Sequence, residues 1–315
     1  MTLNITPVAR WLMIQSSDFR LTSIRNGKRV IESHTAQKQF ILHYPKWSGL
    51  VCYTGIATYD DGRGFRHDTA TWLQSVLEHP PDQQRSPEDV VRVLREANTW
   101  LRRIPADQRF HTFTMLAYDK KGVPRVWVLS TFERPGQPLK TVGEGDLLCT
   151  RTRVSGPQCI VTGWAPAVSK AQKDSILDEL AHAPDRDDMS AAVAIVNREA
   201  SANAADTVSP ECIVAALSPD GSGQVTVYGS LPKEFLPSVI LRGVSLPVAN
   251  VLTQQGLTDQ MLDAVSWPPR SQTLRGNTAV VQSFRPISGY KWPDDPTATP
   301  RKKVPVKVDF KPKTT

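Results

Sequence analysis

The stretch MTLNITPVARWLMIQSSDFRLTSIRNGKRVIESHTAQKQFIL, residues 1–42, decides how this chain is read. Met1 precedes a small residue, so removal of the initiator methionine would leave Thr2 with a free α-amine. A threonine hydroxyl is a poor nucleophile at neutral pH. An adjacent α-amine, with a reference pKa near ~8, can take its proton. Asp18, Arg20 and Thr22 follow in SSDFRLT, and Lys38 opens the alternating run Lys38-Gln39-Phe40-Ile41-Leu42. Taken singly, these residues also fit an ordinary terminus and a surface ion pair. In this order, at the ends of strand-like runs, they read as one site folded from two hairpins.

Further along, Gly49-Leu50-Val51-Cys52-Tyr53-Thr54-Gly55-Ile56-Ala57 is a β-rich run that reaches a glycine where a strand would pass into a helix. A glycine lets the backbone approach a substrate, and a fixed N–H is a ready oxyanion donor. A bulge or turn glycine is the alternative. Helices are predicted over His67–Leu77 and over Ser86 to about Arg103. The second starts with Ser86 as N-cap, Pro87 in the first turn, and Glu88 and Asp89 against the positive dipole end. Phe110–Tyr118 and Arg125–Ser130 form a hairpin around Asp119–Gly122. Pro157–Gly163 is a strand ending in Thr162-Gly163. Ser169–Ala183 and Met189–Ala204 form a second helical pair, followed by Asp206, Ser209 and the strand Cys212–Leu217; Val225–Tyr228 closes the sheet.

These residues resemble the proteasome β-subunit family of N-terminal-nucleophile hydrolases, including its bacterial members. Thr2, Asp18, Arg20 and Thr22 reproduce that family's motif and spacing. Lys38 lies further from Asp18 than the family's lysine does, which a longer turn at Arg25-Asn26-Gly27-Lys28 accommodates. The resemblance spans roughly residues 2–230. It implies an α+β fold, a four-layer αββα sandwich with two antiparallel sheets inside two helical layers. It implies that Thr2 attacks a peptide carbonyl with its own amine as base. Lys38 lowers that amine's pKa, Asp18 orients Lys38, and the Gly55 N–H holds the oxyanion. Asp206 and Ser209 position the amine. Arg20, Thr22, Ala57 (a pocket residue) and Thr162 support the site. Pro210-Glu211 stands where the family has Gly-Gly.

The expected function is a threonine-type peptidase in a self-compartmentalised homo-oligomeric ring. Its substrates would be peptides or unfolded proteins, and an ATP-dependent unfoldase is among the implied partners. A catalytically inactive scaffold subunit and an amidohydrolase for a small-molecule amide are the alternatives.

Composition bounds the rest. The length of 315 residues and 40% apolar content allow one α/β domain plus a tail. No run of eighteen apolar residues occurs, so no membrane partner is expected. Cys52, Cys149, Cys159 and Cys212 form no Cys-x-x-Cys, and the six histidines show no metal-ligand spacing. The cysteines read as small hydrophobes in a reducing cytoplasm, with no metal and no cofactor. The expected organisation is a hydrolase-like domain over 1–230, a packed extension over 231–266, and a Pro-rich basic tail over 267–315, largely disordered. The net charge of +7 concentrates in that tail. Without interleaved aromatics the tail reads as solvated rather than as a nucleic-acid platform. Ala279–Phe284 is apolar enough to dock as a strand on a neighbouring subunit.

Overall fold

The structure, a computed structural model, describes residues 2–25, 28–33, 36, 38–44, 46–80, 83–118, 122–134, 137–182, 185–204, 207–219, 222–229, 238–241, 243–245, 270–274 and 277–284. The chain opens with strands β1 (Leu3–Ala9), β2 (Leu12–Asp18), β3 (Leu21–Arg25), β4 (Lys28–Ser33), β5 (Gln39–Tyr44) and β6 (Trp47–Gly55). A short hairpin, β7 (Thr58–Asp60) with β8 (Arg66–Asp68), precedes helices α1 (Thr69–Leu77) and α2 (Pro87–Glu96). Strands β9 (His111–Tyr118), β10 (Pro124–Ser130), β11 (Leu148–Arg153) and β12 (Gln158–Gly163) follow, then α3 (Lys170–Ala181) and α4 (Arg186–Asn203). Strands β13 (Cys212–Leu217), β14 (Gly223–Tyr228), β15 (Ser238–Leu241), β16 (Val244–Ser245), β17 (Arg270–Leu274) and β18 (Asn277–Phe284) complete the described chain. The fold is α+β.

Two seven-stranded sheets dominate, ordered β12-β1-β2-β13-β14-β18-β17 and β11-β10-β9-β6-β5-β15-β16. Pairing is antiparallel except where β15 runs parallel to β5. Side chains on a strand alternate between faces, so a strand buried on both faces shows two different patterns. On β1, Leu3, Ile5 and Ala9 pack with Ile176, Leu180 and Met189 of the α3–α4 pair. Val8 belongs to a second cluster with Met13, Ile41, Leu50, Leu116 and Val126, drawn from both sheets. A third cluster joins Phe40, Val51, Tyr53, Phe113 and Met115 to Leu73, Val90 and Leu94 of α1 and α2.

The layer shared by the two sheets changes character along its length. Away from the strand ends near Thr2 it is mainly apolar, with His43 and Ser48 buried as a hydrogen-bonded pair, Nδ1 to Oγ 2.6 Å. Toward Thr2 it carries Asn4, Thr6, Gln15, Gln39, Cys52, Thr112, Thr114 and Thr162, all buried. These groups bond across the gap: Asn4 Nδ2 to Cys52 Sγ at 2.7 Å, Gln15 Nε2 to the Thr114 carbonyl at 3.0 Å, and Thr114 Oγ1 to Thr162 Oγ1 at 3.1 Å. A buried polar atom is costly unless bonded; Asn4 Oδ1 and Thr6 Oγ1 carry that cost, with no hydrogen-bond partner among the described residues.

Several expectations are corrected. Strand β1 was not foreseen, because Asn4, Thr6 and Pro7 break its apolar run. The helix expected from His67 begins at Thr69, where the Asp68 side chain accepts from Thr71 N at 2.7 Å and caps it. The helix expected to run to Arg103 stops at Glu96 and continues as a 3-10 segment, Asn98–Arg103. Its start is as expected, a capping box between Ser86 and Asp89. Residues 270–284 were expected within a disordered tail or on a neighbouring subunit. Instead β18 pairs with β14 of the same chain, Tyr228 opposite Ala279, and β17 pairs with β18. The turn at Asn26-Gly27 lies outside the described residues.

Candidate active site

Asp18 ends β2 and is the hub. Its Oδ1 accepts from Leu3 N at 3.0 Å, and its Oδ2 accepts from Arg20 N at 3.0 Å and Ser209 N at 3.2 Å. One local amide and two from 15 and 191 positions away are thereby fixed around one carboxylate. Lys38, placed just before β5, brings Nζ to 3.4 Å from Asp18 Oδ1 and 2.5 Å from the Arg20 carbonyl. Both charged side chains are buried, Asp18 at 1% and Lys38 at 1% exposure. Burial pulls the Lys38 ammonium below its ordinary range, and the Asp18 carboxylate pulls it partly back.

Thr2 precedes β1 and is 3% exposed. Its carbonyl accepts from Trp164 N at 2.9 Å. Leu3 stands opposite Gly163 in the β1–β12 register. Gly163 has φ +82, and a Cβ there would lie 1.9 Å from the Thr2 carbonyl oxygen. The glycine is therefore what allows β12 to close over Thr2.

Gly55 has φ +95, and a Cβ there would lie 1.9 Å from the Phe110 carbonyl oxygen. The sequence placed this glycine at a strand-to-helix junction. The β7–β8 hairpin intervenes, and Gly55 instead permits close approach between β6 and the entry to β9. Ala57 is half-buried against the α1–α2 core, and its carbonyl accepts from Thr69 N at 2.8 Å.

The remaining residues are placed as follows. The backbone of Ser209, rather than its hydroxyl, meets Asp18; its Oγ accepts from Glu211 N at 3.2 Å and its carbonyl from Asn197 Nδ2 at 2.9 Å. Thr162 points into the inter-sheet seam toward Thr114. Arg20 and Thr22 are half-buried on the segment after β2. Asp206 lies outside the described residues. The geometry thus brings Asp18, Lys38, the Arg20 backbone, the Ser209 amide and the Leu3 amide, next in chain to Thr2, together.

Sequence reasoning missed Glu133. It follows β10 in the loop Ser130-Thr131-Phe132-Glu133-Arg134, where a charged residue reads as solvated. It is 6% exposed. Its Oε2 accepts from Thr112 Oγ1 at 2.6 Å and its Oε1 from Gly163 N at 2.8 Å. Burial pushes its carboxyl up to about 7, against the pull of those two hydrogen bonds. Among the described residues, no group of three or more His, Cys, Asp or Glu is placed to hold a metal ion. No described helix is long and apolar enough to cross a membrane.

The chain matches no protein-family model and no curated protein. It is similar to the solved structure of Anbu from Hyphomicrobium sp. strain MC1, with 12% identity over 82% of this chain and 98% of that one, TM-score 0.47. It is also similar to Anbu (ancestral beta-subunit) from Yersinia bercovieri, with 12% identity over 69% of this chain and 81% of that one, TM-score 0.43. These are Anbu proteins, a family distinct from the proteasome β-subunit, so the family expected from sequence is corrected.

Proposed function

We propose that the protein is an amide-bond hydrolase with an N-terminal threonine nucleophile, a peptidase that works once Met1 is removed. The observation that carries this reading is the buried Lys38–Asp18 pair, 3.4 Å apart, on a carboxylate that also holds the Leu3 amide beside Thr2. In its ammonium form, which the Asp18 carboxylate favours against the cost of burial, Lys38 disfavours a second positive charge nearby and so favours a neutral α-amine, the form able to take the Thr2 hydroxyl proton. In this mechanism Thr2 Oγ1 attacks the carbonyl carbon while the amine accepts its proton. The Gly55 N–H receives the developing oxyanion, the amine returns the proton to the leaving nitrogen, and water then cleaves the ester. Asp18 and the Ser209 segment hold the parts in place, with Asp206 included as expected from sequence. An αββα sandwich accords with the three apolar clusters, and a homo-oligomeric ring that encloses the sites completes the reading. Static light scattering that gives a monomer at micromolar concentration would remove the ring.

A second reading, a catalytically silent scaffold subunit, is favoured by the 3% exposure of Thr2. Intact mass spectrometry joined to fluorogenic-peptide turnover separates the two. The hydrolase requires loss of Met1 and turnover that disappears in Thr2→Ala. Retained Met1, or turnover equal in Thr2→Ala, leaves the scaffold.

A further inference from the structure

We propose that Glu133 is a positioning residue that fixes the main chain of Thr2, in one sheet, relative to β9 and β6 in the other. This deepens the hydrolase reading and rests on it only for the turnover measurement below.

Two hydrogen-bond paths leave the Glu133 carboxyl. Through Oε2, Glu133 takes the hydroxyl of Thr112, which stands opposite Thr54 in the β6–β9 register, one residue before Gly55. Thr112 Oγ1 also lies 2.7 Å from Ser130 Oγ, and that hydroxyl oxygen accepts from the amides of Phe132 and Glu133 at 3.1 and 2.7 Å. The glutamate's own backbone is therefore anchored to β10, in the same sheet as Gly55. Through Oε1 it holds the amide of Gly163, in the other sheet. The next amide, of Trp164, bonds the Thr2 carbonyl. Among the described residues, backbone pairing does not link the two sheets at this end: their strands bond within each sheet. The carboxyl spans that gap between the nucleophile strand and the glycine strand. A carboxyl buried at 6% exposure is costly to keep, and an apolar residue there would leave the Gly163 amide without this acceptor. A glutamine keeps both bonds, its oxygen on Gly163 N and its amide on Thr112 Oγ1, which then donates to Ser130.

Hydrogen exchange on the full chain, read by mass spectrometry, tests the clamp without any need for catalysis. In Glu133→Ala the Gly163 and Trp164 amides should exchange about ten-fold faster or more, the loss expected for one hydrogen bond to a charged acceptor. Glu133→Gln should stay near wild type, and amides of β13 should be unaffected in both. Unchanged exchange at Gly163 and Trp164 in Glu133→Ala overturns the proposal, as does uniform acceleration across the chain. Should Glu133→Ala not fold, Thr112→Val removes one arm of the clamp and is read at the same amides. Turnover is the second readout: kcat should fall by about ten-fold in Glu133→Ala with KM nearly unchanged, and return in Glu133→Gln. Equal kcat in wild type and Glu133→Ala overturns the role at Thr2. A wild-type protein without turnover sinks the hydrolase reading alone, and the exchange result then decides this one.

Discussion

Gly163 and Thr2 touch so closely that a single added carbon on the glycine would fall 1.9 Å from the threonine's carbonyl oxygen. That contact sets β12 against the start of β1, and it makes residue 163 intolerant of any side chain. Gly163→Ala should therefore cost more than the ~1–2 kcal/mol of a left-handed alanine alone. Gly62 is the control: its φ is +68, yet no atom lies within 4 Å of its would-be Cβ. Thermal melts should show Gly163→Ala falling well below Gly62→Ala. Equal midpoints would contradict the packing described.

The Asp18–Lys38 pair predicts an asymmetry. Asp18→Ala strands three backbone amides and a buried ammonium, so it should cost about 3–5 kcal/mol. Lys38→Met leaves the carboxylate with its three amide donors and keeps the lysine's packing, so it should be cheaper by at least ~1 kcal/mol. Urea titration reads both. A Lys38→Met variant as unstable as Asp18→Ala would show that the amides contribute little.

His111 predicts how stability depends on acid. The ring is fully buried, stacked near Tyr53 and edge-on to Trp100 and Phe113, and neither ring nitrogen has a hydrogen-bond partner among the described residues. Burial pulls its pKa down to about 3, and that of the neighbouring His67 down to about 4. The unfolded chain takes these protons near pH 6.5 while the native one does not. Stability is thus full above that value and falls as pH drops through the window toward 3. His111 alone should contribute about 1 kcal/mol per pH unit there. His111→Phe should narrow the stability gap between pH 7 and pH 5 and raise the midpoint at both. A gap of unchanged size would exclude His111 as its source.

Glu133 acts with the opposite sign. Its carboxyl binds a proton more readily folded than unfolded, so its contribution is present below pH 4.5 and is lost as pH rises through about 7. Glu133→Gln should therefore be more stable than wild type at pH 8 and equal to it at pH 4, measured by urea unfolding.

The carboxy-terminal strands predict a truncation step. Removing residues 270–315 strips β18 from β14 and exposes that strand's edge, whereas removing 285–315 leaves both strands in place. The longer truncation should lower the thermal midpoint by several degrees more than the shorter. Identical midpoints would mean that the β14–β18 pairing adds no stability.

The Asp18–Lys38 pair was more legible in the sequence than the inter-sheet seam. Asp18 and Lys38 stood out because charged residues at strand ends carry a spacing that survives in one dimension. Helix starts were legible at Ser86 and Ser169, where cap and first turn are local chemistry. Strand β1 was not, because Asn4 and Thr6 look like solvent residues until the second sheet covers them, and only the Asn4 amide nitrogen finds a partner there, Cys52 Sγ. Glu133 was hidden for the same reason: its neighbours Thr112 and Gly163 lie 21 and 30 positions away. The helix after Leu94 was overextended because Leu101 keeps helical spacing while Asn98 turns the chain into a tighter 3-10 path.

The amide of Ser209 reaches Asp18 across 191 positions. A contact of that span closes only after most of the chain exists, and long-range closures of this kind come late in folding. The carboxylate that orders Thr2 and Lys38 therefore lacks its third amide donor throughout synthesis of the first two hundred residues. A nascent chain carries Asp18 and Lys38 well before it carries the complete set of amides around that carboxylate, which closes only with the segment that leads into β13.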